Sequence, residues 1–200
     1  VWVGTDDGVG VIRCGDVFNT SLCRASRIIV TQEGIPEALL NDEEIRAIMV
    51  DGANRKWLGT QSSGVFLVSP DGTTQLEHFT KENSPMPSDN VTSITINGNT
   101  GEVFFGTDQG IVSFRGEATE GGNEATCATV FPNPVRETYQ GSVAITGLIA
   151  DSDVRITDMA GNLVYRTVSY GGQAIWPATD LTGQRVSSGV YLVLASDPSG

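Results

Sequence analysis

Basic side chains are scarce in this chain, which has 12 Lys and Arg against 24 Asp and Glu in 200 residues, for a formal net charge of −12. A nucleic-acid partner needs a basic face for its phosphate backbone, so the composition argues against one. Long hydrophobic runs are also missing, since no stretch approaches the roughly 18 apolar residues that a membrane-spanning helix needs. We therefore expect neither nucleic-acid binding nor a transmembrane segment.

Histidine is nearly absent, which limits the catalytic chemistry open to the chain. A serine or cysteine hydrolase needs a base beside its nucleophile, and the one histidine, His78, lies in the alternating stretch 76–80. We interpret His78 as a surface residue of a strand. No Gly-rich loop joins a strand to a helix, and no cysteine or histidine pairs have zinc-ligand spacing. The sequence therefore predicts no enzyme, no catalytic residue, no cofactor and no metal.

Cysteines are few, and their positions are informative. Cys14 and Cys23 flank the turn-like residues 15–21, between apolar runs at 11–12 and 28–30. A hairpin here could bring the two sulfurs within bridging distance, although two unrelated reduced thiols are the alternative. We predict a Cys14–Cys23 disulfide, which would indicate an oxidising compartment. Cys127 has no third partner, and we expect it to be a small buried hydrophobic residue.

Internal repetition dominates the first 117 residues. An aromatic-x-Gly-Thr motif occurs at residues 2–5, 57–60 and 104–107, and each copy leads through a further glycine into a second apolar strand. The period of about 50 residues has the size of a propeller blade. Short strands and an aromatic before a glycine are typical of a four-stranded antiparallel blade. We expect Trp2, Trp57 and Phe104 to pack between neighbouring blades rather than to stack on a ligand.

The remaining residues predict a second all-β unit. Residues 116–124 are polar and Gly-rich and indicate a linker. Beyond them, prolines on both sides of Asn133 favour an entry segment or an edge. Five short strands follow, with a hairpin turn at 160–162 and no helical period, which is typical of an antiparallel sandwich. They are expected at residues 142–146, 153–158, 163–165, 173–176 and 186–194.

The chain is therefore predicted to be all-β. We expect the final blades of a β-propeller at residues 1–117, a linker at 118–126 and a small Ig-like antiparallel β-sandwich at 127–200. Because propellers close with about four blades or more, these repeats cannot close a ring by themselves. We expect the other blades to precede this chain.

The repeats resemble the two-component regulator propeller family of Bacteroidetes sensor and surface proteins, through the Trp-x-Gly-Thr turn and residues 87–94. Residues 50–60, 79–85 and 101–103 resemble, more narrowly, a propeller family of the type IX surface attachment complex. That resemblance implies a non-enzymatic component of the outer-membrane surface that binds anionic lipopolysaccharide and delivers it to the sortase. A basic pair such as Arg55-Lys56, or a site in preceding blades, would have to hold the anion.

The second unit carries a set of turn glycines, prolines and aromatic residues with a recognisable order and spacing. They are Pro132, Asn133, Pro134, Gly147, Asp158, Gly161, Gly172, Trp176, Gly183, Gly189 and Tyr191. Through these residues the unit resembles the Por secretion, or type IX type A, sorting domain. The resemblance implies export through the periplasm, docking at the cell surface and partners in the type IX translocon and the surface attachment complex. Family members usually end on a further apolar strand, so we expect the last strand to be missing here.

Two other functions stay open at this stage. The chain could belong to a type IX cargo protein, an enzyme or adhesin whose upstream part carries the activity. It could also belong to the propeller sensor region of a hybrid two-component system, although a membrane helix rather than a sorting domain follows the propeller in such sensors. Cargo loses its sorting domain on export, so the mature surface protein separates the first alternative from a machinery component.

Overall fold

The computed structural model describes residues 1–14, 23–32, 35–122 and 127–196. Within these ranges the chain forms β-strands and no helix. The strands are β1 (Trp2–Thr5), β2 (Gly8–Ile12), β3 (Ala25–Arg27), β4 (Ile29–Gln32), β5 (Ile35–Ala38), β6 (Ile45–Val50), β7 (Lys56–Thr60), β8 (Val65–Val68), β9 (Gln75–Phe79), β10 (Val91–Asn97), β11 (Glu102–Thr107), β12 (Gly110–Arg115), β13 (Thr129–Phe131), β14 (Val143–Thr146), β15 (Asp153–Asp158), β16 (Leu163–Val168), β17 (Gln173–Trp176) and β18 (Tyr191–Ser196).

The chain divides into two compact units. The first contains Val1–Ile96 and Glu102–Arg115, and the second contains Asn97–Gly101 and Gly116–Gly200. Residues 118–122, assigned to a linker by the sequence analysis, lie in the second unit, where Glu120 N–H donates to the carbonyl of Gly98 at 2.8 Å. The predicted bounds of 1–117, 118–126 and 127–200 stay a prediction.

The first unit is built of antiparallel sheets whose strand order follows the chain. Strands β6-β7-β8-β9 form a four-stranded sheet, β1-β2-β3 and β10-β11-β12 form three-stranded sheets, and β4-β5 is a separate hairpin. The predicted all-β fold class, with blades of the propeller type followed in the chain by an antiparallel sandwich, is confirmed. Among the described residues, however, only the sheet that begins at β6 has the four strands expected of every blade.

The aromatic-x-Gly-Thr motif occupies β1, β7 and β11 and closes the same turn in each. The threonine hydroxyl of each copy donates to the carbonyl of a following glycine. This glycine is the first residue of the next strand in two copies and directly precedes that strand in the third. The bonds join Thr5 to Gly8 at 2.9 Å, Thr60 to Gly64 at 3.0 Å and Thr107 to Gly110 at 2.9 Å. The threonine therefore stabilises the turn of each hairpin. Its presence in all three copies of the motif is the sequence feature that indicates this role.

The motif glycine is required by the neighbouring strand. A Cβ atom on Gly59 would lie 2.6 Å from Cγ1 of Val91 in β10. A Cβ atom on Gly4 would lie 2.9 Å from the Cγ2 atom of Ile45 in β6. Carbon atoms do not approach so closely, so glycine is what lets β10 pack on β7 and β6 pack on β1.

Trp57 fills the space between two blades, as the repeat predicts. It is fully buried and its ring lies 5.6 Å from that of Phe105 in the next sheet, with Phe79 at 5.9 Å and Phe114 at 6.0 Å. Its indole N–H donates to Asp51 at 3.3 Å. Aromatic clusters of this kind bury large areas and dominate a core.

The exposed fraction of the side chain differs between equivalent positions of two blades. Val65 and Ile111 both follow the glycine after the motif, yet Val65 is 0% exposed and Ile111 is 77% exposed. Strand β8 is paired on its outer side with β9, whereas β12 has no fourth strand among the described residues. Val65 is buried because it packs in the core cluster that contains Val91, Val103 and Phe105 of the next sheet, whereas Ile111 belongs to none of the core clusters of the described residues.

The second unit contains two three-stranded sheets, in the orders β13-β14-β17 and β16-β15-β18. Strand β13 lies at an edge and ends directly before Pro132, as the prolines around Asn133 predict. Strand β16 continues to Val168, beyond its expected end. The last strand begins only at Tyr191. The core contains Val143, Ile145, Leu148, Val154, Ile156, Ala174, Trp176 and Ala178.

Candidate functional site: the sorting-domain motif residues

Trp176 anchors the core of the second unit. Its side chain is 6% exposed, and its indole Nε1 donates to the carbonyl of Thr179 at 2.8 Å. Its ring meets that of Tyr191 edge-on, with the centroids 5.4 Å apart and an angle of 65° between the planes. The Tyr191 hydroxyl donates to the carbonyl of Ser187 at 2.7 Å. These two aromatic residues therefore hold the ends of the loop that joins β17 to β18.

Asp158 caps the hairpin between β15 and β16. Its carboxylate accepts from the backbone N–H groups of Ala160 and Asn162, each at 2.9 Å, and from the Asn162 side chain at 2.8 Å. These hydrogen bonds, that of the Asn162 side chain foremost, hold the pKa of Asp158 below its usual value. Gly161 has a φ of +85°, a conformation that favours glycine. The Asp-x-x-Gly pattern therefore builds a capped turn.

A second turn of the same design was not singled out from the sequence. The Asp180 carboxylate accepts from the N–H of Thr182 at 2.8 Å, from its hydroxyl at 2.6 Å and from the N–H of Gln184 at 3.0 Å. Gly183 completes it. The signal that could have found Asp180 is its spacing to Gly183, which equals the spacing of Asp158 to Gly161.

Gly172 lies where three chain segments meet. Its N–H donates to the carbonyl of Thr119 and its carbonyl accepts from the N–H of Leu148, both at 3.0 Å. A Cβ atom on Gly172 would overlap the carbonyl oxygen of Glu120. Gly147, directly before Leu148, follows β14. The two motif glycines thus let residues 119–120 and the end of β14 pack on the β16–β17 connection.

The other motif residues lie apart from these contacts. Asn133, Pro134 and Gly189 are exposed and Pro132 is half-buried. Among the motif residues of the described chain, Trp176 contacts Tyr191, Asp158 and Gly161 share one turn, and Gly147 lies near Gly172. The remaining motif residues lie apart from these three places. Their role in export stays a prediction.

The structure joins Cys14 and Cys23 in a disulfide, with the two Cα atoms 5.8 Å apart. The expected turn at 15–21 lies outside the described residues. The strand that pairs with β2 is Ala25–Arg27 rather than the apolar run at 28–30, with Ile12 opposite Ala25. Cys127 is exposed, so the expectation that it is a buried hydrophobic residue is wrong.

Arg55 and Lys56 do not form a surface site for an anion. They are 8% and 4% exposed. Arg55 Nε pairs with Asp51 at 2.7 Å, and Lys56 Nζ donates to the carbonyls of Asn54 and Pro70 at 2.6 and 2.8 Å. Burial lowers the pKa of Lys56, against the opposing effect of the Asp51 charge. The suggestion that this pair holds lipopolysaccharide is wrong, because both cations are already used inside the blade.

His78 is half-buried rather than a plain surface residue. Its ring stacks on that of Phe66 with the centroids 3.9 Å apart, and its Nε2 lies 2.7 Å from the carbonyl oxygen of Ser63. The ring face of His78 is covered by Phe66 and its Nε2 atom is hydrogen-bonded to the backbone. We therefore interpret His78 as a packing residue of β9.

The described residues contain no cluster of three His, Cys, Asp or Glu side chains that could hold a metal ion. The same residues form no helix that is long and apolar enough to span a membrane.

A known family and a known protein are similar to this chain. Residues 129–199 match the family described as Secretion system C-terminal sorting domain. Over 99% of its length the chain is similar, at 36% identity and a TM-score of 0.64, to PorZ, an essential bacterial surface component of the type-IX secretion system of Porphyromonas gingivalis. The chain spans 27% of that protein. No curated protein sequence matches it.

A second solved structure has a weaker likeness. The extracellular domain of the two component system BT4673 from B. thetaiotaomicron matches at 15% identity and a TM-score of 0.40, over 82% of this chain and 21% of that one. Residues 129–199 of this chain therefore match the Secretion system C-terminal sorting domain family, and the chain as a whole is similar to PorZ over 27% of that protein.

Proposed function

We propose that this chain is part of a non-enzymatic surface component of the type IX secretion machinery. The observation that carries the proposal is the likeness to PorZ, which extends over both the blades and the sorting domain at 36% identity. In a cargo protein, similarity to other type IX proteins would be expected in the sorting domain alone. Similarity that continues through Val1–Ile96 favours a shared role for the whole chain.

The sorting domain would export the protein through the periplasm and dock it at the outer-membrane surface. Its partners would be the translocon and the proteins of the surface attachment complex, among them the sortase. Its recognisable motifs consist of turn caps, tight glycines and core aromatics, which present a rigid surface rather than reactive groups. A stable antiparallel sandwich is suited to such a docking role.

The propeller, or the sandwich, would bind anionic lipopolysaccharide for delivery to the sortase. The net charge of −12 means that the anion must meet a local basic site. Arg55 and Lys56 cannot be that site because they are buried and paired.

Deletion of residues 127 to the natural C-terminus of the full-length protein tests the export role. We expect the truncated protein to fold its blades and to remain in the periplasm, as measured by cell fractionation and surface proteolysis. Normal surface amounts of the truncated protein would make the sandwich an ordinary interaction domain. As a control, Leu181→Ser in the full-length protein alters an exposed loop residue outside the motif and should leave export intact.

The mass of the mature surface protein separates the machinery role from the cargo role. A machinery component is expected to retain residues 127–200, whereas cargo is expected to lose them. Binding of purified lipopolysaccharide to the full-length protein, measured by co-sedimentation, tests the ligand separately.

A further inference from the structure

The outer face of the sheet β16-β15-β18 carries two arginines beside exposed apolar side chains. Residues directly opposite one another on neighbouring strands point to the same side of a sheet. Arg155 of β15 stands opposite both Arg166 of β16 and Leu194 of β18. We call the surface formed by Arg155, Arg166, Val168, Leu192 and Leu194 the Arg–Leu face.

The charge of this face is locally positive in an acidic chain. Arg155 Nε donates to one carboxylate oxygen of Asp153 at 2.8 Å, and Arg166 Nε donates to the other at 2.7 Å. The two arginine side chains are 55% and 58% exposed. Two guanidinium groups thus share one carboxylate, and each has five N–H donors, more than Asp153 can accept.

Among the ion pairs of the described residues, only this one has two arginines that share a single carboxylate. Elsewhere each cation faces one acid, as in the pairs Arg27–Asp7 and Arg46–Glu44. Like charges directly opposite on a sheet are unfavourable. Asp153 relieves that repulsion but leaves a net positive charge, which an incoming anion would neutralise.

Apolar side chains lie next to the two guanidinium groups. Val168 is 47% exposed, Leu192 is 42% exposed and Leu194 is 54% exposed. Val168 stands opposite Asp153, and Leu192 is two residues from Leu194 on the edge strand. Cationic heads beside exposed leucines are typical of surfaces that bind at a lipid interface, where charge and apolar area act together.

We propose that the Arg–Leu face binds an anionic lipid. Arg155 and Arg166 take the phosphate of the headgroup, and Leu192 and Leu194 contact the first part of the acyl chains. The inference rests on the proposed function, in which the protein binds an anionic glycolipid, and it gives that function a site in the sorting domain. The long-range repulsion from the acidic chain is screened within about 8 Å at physiological salt, so the local face decides binding.

Vesicle co-sedimentation of residues 1–200 tests the proposal. The probes are phosphatidylcholine vesicles with and without phosphatidylglycerol. We expect binding only to the vesicles with phosphatidylglycerol, and weaker binding as salt is raised. Each basic residue near an anionic surface contributes about 5-fold in affinity, so R155Q/R166Q should bind about 25-fold more weakly.

Matched variants separate the face from total charge and from general hydrophobicity. R27Q/R46Q removes the same two charges from exposed ion pairs of the first unit and should bind like the wild type. L192S/L194S should weaken binding, whereas L181S, at a loop residue that is 63% exposed, should not. Far-UV circular dichroism and the melting temperature of each variant establish that it is folded.

Absence of wild-type binding to phosphatidylglycerol vesicles would overturn the proposal and leave an acidic protein surface as the partner of this face. An equal loss in R27Q/R46Q would overturn it too, by assigning the effect to net charge. The proposed function is judged separately, by lipopolysaccharide binding to the full-length protein. If the full-length R155Q/R166Q variant binds lipopolysaccharide like the wild type, the proposed function stands and the assignment to this face is wrong.

Discussion

Trp176 and Tyr191 meet edge-on although they belong to different sheets of the sandwich, Trp176 to the sheet of β14 and Tyr191 to the sheet of β15. Because the contact crosses the core, loss of the indole should open a cavity that neither sheet can fill. We expect Trp176→Ala to destabilise the second unit by about 3–5 kcal/mol. Tyr191→Phe keeps the ring and loses one hydrogen bond, so about 0.5–1.5 kcal/mol is expected. Urea unfolding followed by circular dichroism measures both, and a Trp176→Ala midpoint equal to that of the wild type would contradict the anchoring role.

Gly172 and Gly189 are both motif glycines, yet they should respond differently to alanine. A methyl group on Gly172 would overlap the backbone carbonyl of Glu120, whereas at Gly189 the nearest atoms, of Tyr191, lie 3.8 Å away. Gly189 also has no positive φ. We expect Gly172→Ala to cost roughly 1–3 kcal/mol through overpacking and Gly189→Ala to stay within about 0.5 kcal/mol. Equal melting temperatures of the two variants would show that residues 119–120 can move away from Gly172 without cost.

Much of the fold could be predicted because repetition and alternation act locally. The three aromatic-x-Gly-Thr copies mark β1, β7 and β11, and alternation marks β14, β15 and β17 within one residue. Expectations were wrong where side-chain pairing and burial decide the outcome. Arg55 was expected to be a surface cation, but it is 8% exposed and pairs with Asp51.

The Arg–Leu face was harder to predict because it depends on the pairing register of its strands, which the sequence pattern does not specify. That Arg155 stands between Arg166 and Leu194 depends on how β15 pairs on both sides. A shift of one residue would reverse every side chain of the strand. Asp180 could have been found from its Asp-x-x-Gly spacing alone.

Acid should weaken the first unit partly through Asp71. Hydrogen bonds from the Ser69 hydroxyl, at 2.6 Å, and from Thr73 lower the pKa of Asp71 to about 2. A depressed folded pKa means that the unfolded chain binds the proton more tightly, so this contribution is full above about pH 4 and is lost as pH falls towards 2. We expect Asp71→Asn to flatten the fall in melting temperature below about pH 4. The control is Asp6→Asn in an exposed turn, and an acid limb unchanged in both variants would contradict the assignment.

The Cys14–Cys23 disulfide closes a short loop, with a sequence separation of 9. In the chain-entropy account, a cross-link of this length restricts the unfolded state and stabilises the fold by about 2–3 kcal/mol. The double variant Cys14→Ser with Cys23→Ser should therefore unfold at lower denaturant than the wild type. Cys127→Ser should not, because Cys127 is exposed and unpaired in the structure. Thiol titration of the unreduced, denatured wild type should find one reactive thiol. Finding three would show that the bridge does not form in solution, and the inference of an oxidising compartment from this pair would fall with it.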